Sequence, residues 1–185
     1  LAAPTPPAQL TPQADALEAT LRTRDVFAAL DAAARVGTGA SASVVPDVPA
    51  LEFAALVLAC LPVQRRSELG VAVGVEPPRD STDAEALPVK LWLVETAPAL
   101  PATEVGHDLK AAVQQARGAF SRAESATAFF AVPDSFTPPP ATVADHARAL
   151  VEAEALRGAA AEIRSGAGVT AEGAATVAGR LAAGY

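Results

Sequence analysis

Aromatic side chains are scarce, at 4 % of 185 residues, and methionine is absent. The core must therefore come from Leu, Val, Ala and a few Phe. Alanine lets helices approach closely but buries little, at about 25 cal/mol per Å² of apolar area. Cysteine occurs once, at Cys60, so an intrachain disulfide is impossible. Within the apolar run FAALVLACLPV that thiol reads as a small buried hydrophobe. Basic residues are outnumbered 14 to 21, for a formal net charge of −7. Nucleic-acid binding needs Lys and Arg to neutralise phosphates, and no basic stripe with interleaved aromatics occurs, so a nucleic-acid partner is not expected. Lysine stands only at Lys90 and Lys110. This arginine bias, with the Ala and Pro load, fits a GC-rich bacterial genome. The longest apolar run, residues 53–63, is short of the ~20 residues of a membrane span. The opening LAAPTPPAQLTP has neither the basic nor the apolar part of a secretory leader. A cytoplasmic protein is expected.

The motifs of the common chemistries are missing too. There is no G-x-S-x-G for an activated serine. A phosphate loop and a dinucleotide-binding glycine fingerprint are also lacking. The two histidines, His107 and His146, each neighbour an aspartate. Adjacent residues on a helix point in different directions, and zinc takes three or four ligands, so no metal site is expected. Glu152, Glu154 and Glu162 read as the solvated face of a long helix. Neither a catalytic residue nor a cofactor is assigned.

What is present is helical patterning. Residues 1–12 hold four prolines and read as an extended tail. Residues 13–166 read as one helical domain, and 167–185 as a weak C-terminal helix. Leu17, Leu21, Val26, Phe27 and Leu30 recur at helical spacing up to Gly37. Residues 37–49 form a loop of small residues and prolines. ALEFAALVLACL, nearly apolar all round, reads as a central buried helix. VQRRSELGVAVGV reads as a third helix with Gly70 and Gly74 on one face. A strand over LGVAVGV is the alternative, with no evident partner strand. Thr82 and Glu85 fit a capping box ahead of a helix carrying Leu91, Trp92 and Leu93. A helix over TEVGHDLKAAVQQARGAF follows. Ser121 and Glu124 form a second box before RAESATAFFAV. Thr142 and Asp145 cap a long helix with Val143, Ala147, Leu150 and Leu156 inward, and Thr170 caps the last. The expected fold is all-α, a bundle-like domain of about six to eight helices.

Three features could meet a partner. Phe129 and Phe130 form an aromatic pair in a chain poor in aromatics, serving as a core anchor or, failing that, a partner groove. Phe136 lies in the connector AVPDSFTPPPATVADH, which needs no aromatic; it either returns to the core or faces outward. Arg65 and Arg66 open a helix and could grip a carboxylate or phosphate, with Glu52 and Glu68 nearby as the plainer explanation.

Two segments resemble a family. ALVLACLPVQRRSELGVAVGV, with Leu61-Pro62 and then Arg66 and Glu68, is similar to the Ala-Leu-Pro helix end and following Arg-Glu helix of an uncharacterised family of small all-helical bacterial proteins, sometimes encoded beside type VI secretion genes. DLKAAVQQARGAF…ATAFFAVPDSFTPPPATVADHARALV resembles that family's later order, through Phe129-Phe130, Ser135 and Pro138 to Pro140. The family's Trp-Trp pair is replaced here by about Val71-Ala72, and its Gly-Gly by Pro133-Asp134. The resemblance implies an all-helical, non-enzymatic protein.

The expected function is a non-enzymatic interaction module, an accessory or structural subunit of a larger bacterial assembly, bound to a protein partner or to copies of itself. The rival is a helical enzyme or ligand-binding bundle using Arg65, Arg66, His107 and His146. It requires those four side chains to converge on one concave site.

Overall fold

The computed structural model describes residues 23–78, 83, 86–96, 104–131, 138–165 and 170–182. Its elements in chain order are α1 (Thr23–Gly37), β1 (Ala42–Val44), α2 (Ala50–Ala59), α3 (Val63–Arg66), β2 (Gly70–Val73), β3 (Val89–Leu93), α4 (His107–Phe120), α5 (Ala126–Ala131), α6 (Val143–Ser165) and α7 (Ala171–Ala182).

The fold is mixed α/β, which overturns the all-α expectation and the all-helical implication of the family resemblance. A three-stranded sheet in the order β1-β3-β2 stands among the helices, with both pairings parallel. The stretch read as a helix through Leu91, Trp92 and Leu93 is the central strand. VQRRSELGVAVGV divides into the short α3 and then β2, the strand first set aside for want of a partner. The loop over residues 37–49 contains β1. Val89, Leu91, Trp92 and Leu93 suit a pleated, buried surface. A strand held between two neighbours satisfies its backbone on both edges, which outweighs the helix propensity of leucine.

Parallel neighbours need a crossover connection. Between the two edge strands, β1 and β2, the crossover runs through α2 and α3. In register, Ala42, Leu91 and Val71 stand side by side, as do Val44, Leu93 and Val73. Cα partners in adjacent strands share a face, so these six residues lie on one face. It packs on the helices: Ala42, Leu91 and Leu93 join Val26, Leu30, Phe53, Val57, Val113, Phe129 and Leu150 in one core. Ser43, Trp92 and Ala72 share the opposite face. Trp92 is buried there, and among the described residues its indole N–H has no hydrogen-bond partner.

The helices follow sequence signals with some exceptions. α1 ends at Gly37, as its pattern implies. α2 is not buried all round: Phe53, Ala54, Leu56 and Val57 face inward, while Leu51 and Ala55 are exposed. Ser121 and Glu124 do not open α5. The Ser121 hydroxyl donates back to Arg117 O at the end of α4, and Ser125 Oγ caps α5 by accepting the Ala128 N–H at 3.1 Å. Thr142 does cap α6, accepting the Asp145 N–H at 3.1 Å, and Thr170 caps α7, accepting the Gly173 N–H at 3.1 Å. Val143, Ala147 and Leu150 are buried as expected, and Leu156 is half-buried. α7 packs on α6. Glu162 of α6 accepts the Thr170 N–H at 2.8 Å, so that carboxylate has a structural use beyond solvation. The Thr82/Glu85 box, Leu17, Leu21, the Pro-rich tail and Phe136 lie outside the described residues. No helix among the described residues is long and apolar enough to cross a membrane.

Candidate functional site

The two edges of the sheet differ. β1 is short and largely buried, with Ala42 only 1 % exposed. In β2, Val71 and Val73 are 36 % and 49 % exposed, and Val75 just beyond is 55 % exposed. Gly74 N donates to Leu93 O at 2.8 Å, so Gly74 and, two residues back, Ala72 point their backbone groups at β3. By the two-residue period of a strand, the N–H and C=O groups of Val71 and Val73 then point outward. No described segment pairs with them. Glycine is required at both ends of this strand. Gly74 takes φ +70, which bends the chain off the sheet line. At Gly70, where the register shifts, an added Cβ would fall on the Pro88 carbonyl.

Proteins ordinarily protect such an edge with a charge or proline on the strand itself. Here GVAVGV carries neither from Gly70 to Val75; charge stands only outside it, at Glu68 and Glu76. Among the described residues the protective devices are the shortness of the strand, four residues, and the register shift between Gly70 and Val71.

A second feature is a cleft of about 520 Å³ between α1 and α4. Asp31, Ala34 and Arg35 of α1 form one wall. His107, Lys110, Val113, Gln114 and Arg117 of α4 form the other, with Glu104 and Val105 at the end where α4 begins. These positions recur every three or four residues on each helix, so each set shares one helical face. Arg117 closes the deep end. It is ion-paired to Asp31, donates to Phe27 O at 3.3 Å, and stacks over the Phe27 ring with its guanidinium carbon 5.1 Å from the centroid. Arg35 is half-buried and Lys110 exposed; among the described residues the side chain of neither makes an ion pair or hydrogen bond.

The residues singled out in the sequence are scattered. Phe129 is fully buried, and Phe120 and Phe130 pack on it with ring centroids 5.2 and 5.1 Å away. The aromatic pair is thus chiefly a core anchor, with Phe130 half-buried. Arg65 pairs with Glu68 at 3.0 Å, one turn along. Arg66 turns back on α2, its Nε donating to Leu58 O at 2.9 Å and Leu61 O at 3.0 Å. It adds a donor at a helix end, where Leu58 O also accepts the Leu61 N–H at 3.1 Å. His146 is buried in α6 and donates from Nε2 to Ala59 O at 2.9 Å, at the same helix end. His107 stands on the cleft rim. Arg65, Arg66, His107 and His146 therefore do not converge on one site. Among the described residues no three His, Cys, Asp or Glu side chains come together to hold a metal.

Burial pushes the Cys60 thiol well above its ordinary range, with nearby Arg66 pulling weakly the other way. This disfavours the thiolate that a nucleophile requires. The Arg148 guanidinium is raised by its hydrogen bond to Asp108 and, after that, by the Asp108 charge; the contact ties α6 to the first turn of α4. Sequence reasoning missed both the β2 edge and the cleft. The alternation in GVAV was a usable signal for the edge; nothing local marks the cleft.

The chain matches no protein-family model, no curated protein and no solved structure.

Proposed function

We propose that the protein is a non-enzymatic interaction module, a cytoplasmic accessory or structural subunit of a larger bacterial assembly, which receives an extended segment of a protein partner on the open edge of β2. The observation that carries this reading is the uncharged, valine-rich edge strand with outward backbone groups at Val71 and Val73. An added strand would pair those groups, and its alternate side chains would cover the exposed valines, as in other cases of strand addition. Left uncovered, the same edge is an aggregation hazard.

The test compares wild type with the double variant Val71→Lys/Val73→Lys, using the mass of the native complex and amide hydrogen exchange. Wild type is expected to be recovered with a stoichiometric partner or as a homo-oligomer, with slow exchange at the Val71 and Val73 amides in the complex. The lysine variant is expected to stay folded and lose the complex. A complex that survives both substitutions, or a wild type that is monomeric with nothing bound, refutes the reading.

A further inference from the structure

The cleft between α1 and α4 is independent of the β2 edge, and its charge runs against that of the molecule. In a chain of net charge −7, the cleft carries a positive excess. Arg117 and Asp31 neutralise each other across its deep end. Glu104 offsets one of the two remaining cations, Arg35 and Lys110, and one positive charge is left over.

Those two cations come from opposite walls, and among the described residues their side chains make no ion pair or hydrogen bond. Two like charges facing one cleft repel, more strongly where water is partly excluded. An anion between them relieves that cost. The rest of the lining is apolar or neutral: Val105 supplies a hydrocarbon surface, with the nearly buried Ala34 and Val113 behind it. The volume lies within the ~300–1,000 Å³ usual for small-molecule sites. One excess positive charge beside an apolar wall selects a monoanion with a hydrocarbon body over a compact, multiply charged one. Arginine suits a carboxylate in particular, because its planar fork meets both oxygens.

We infer that the α1–α4 cleft binds a small organic monocarboxylate, its carboxylate held between Arg35 and Lys110 and its hydrocarbon part laid on Val105, with Ala34 and Val113 behind it.

The probe is sodium butyrate, titrated into the ¹⁵N-labelled full chain and followed by amide chemical shifts, with sodium chloride at equal ionic strength as the blank and inorganic phosphate in parallel. Butyrate is expected to produce saturable shifts around Arg35, Val105 and Lys110 that chloride does not. Lys110→Gln and Arg35→Gln are each expected to raise the Kd about tenfold or more, the usual effect of losing a charge-assisted hydrogen bond. Lys110 is exposed, so Lys110→Gln decides the matter even where Arg35→Gln perturbs α1. Non-saturable shifts, shifts equal to those with chloride, or a Kd unchanged in Lys110→Gln overturn the proposal. Saturation by phosphate but not by butyrate overturns it as well, since the apolar wall would then play no part.

Discussion

Replacing His146 probes how the long α6 is fastened to the sheet-side helices. The imidazole is fully buried and donates to Ala59 O at 2.9 Å, in the last turn of α2. In His146→Ala the hydrogen bond is lost, at about 1 kcal/mol net. Ala59 is only half-buried, so its freed carbonyl is partly rehydrated and the further penalty sits near the low end, about 1 kcal/mol. The vacated volume adds a cavity term of about 1–2 kcal/mol, below that of a leucine truncation. The total is about 3–4 kcal/mol. His146→Leu restores the volume but leaves the carbonyl without a donor, for about 1–2 kcal/mol. His146→Gln places an amide N–H near the Nε2 position and costs about 1 kcal/mol. Urea unfolding followed by the fluorescence of Trp92, the single tryptophan, measures all three. With a slope of about 1.5–2 kcal/mol/M, the alanine variant shifts the midpoint down by about 2 M. Alanine is expected to cost most and glutamine least. An alanine variant within 1 kcal/mol of wild type, or a leucine variant as stable as the glutamine one, would refute the reasoning.

Gly70→Ala is expected to cost about 2–3 kcal/mol, because the new Cβ would overlap the Pro88 carbonyl and stand 3.0 Å from Pro88 C and Val89 Cα, backbone atoms held by β3; hydrogen exchange should show β2 loosening selectively, and a neutral effect would mean the strands separate freely there. Cys60 should resist thiol reagents in the folded protein and react only on unfolding. Its raised folded pKa also sets a sign. The native state keeps the proton that the unfolded chain releases above pH ~8.5, so stability falls as pH rises from there, by up to about 1.4 kcal/mol per pH unit. Cys60→Ala should abolish that component of the alkaline slope between pH 8 and 10, measured by urea midpoints, and an unchanged slope would contradict it.

The helices were legible because their signals are local. The α1 stop at Gly37 and the caps at Thr142 and Thr170 lie within a few residues of the turns they fix. The strands were not, for a physical reason. A strand buried on both faces loses its alternation and reads as a short apolar run, which periodicity cannot separate from a helix. LWL in β3 is such a run. In β2 the alternation was visible, but a strand needs a partner, and here it is β3, which is itself held on its other side by β1. Neither pairing can be read from residues 70–73 alone. The cap at Ser125 was missed because Ser121 and Glu124 offered a competing box; Ser121 instead finishes the preceding helix.

The site was less legible than the fold, because convergence is not written in spacing. Arg35 and Lys110 are brought together only by the packing of α1 on α4, and their neighbour Arg117 reaches Asp31 across 86 residues. Conversely, Arg66 and His146 looked available in sequence and are spent on neighbouring carbonyls of the α2 terminus. The two sheet edges complete the contrast. The same helical layer that buries β1 stops short of β2, and no charge was placed on β2 to compensate. Glu68 and Glu76 flank the strand as gatekeepers would, yet leave its pairing groups unobstructed. A lysine at Val71 or Val73 would protect the edge at little cost to a surface already exposed. That the sequence carries valine at both positions is the reason to regard this edge as a place of contact rather than an accident of a small sheet.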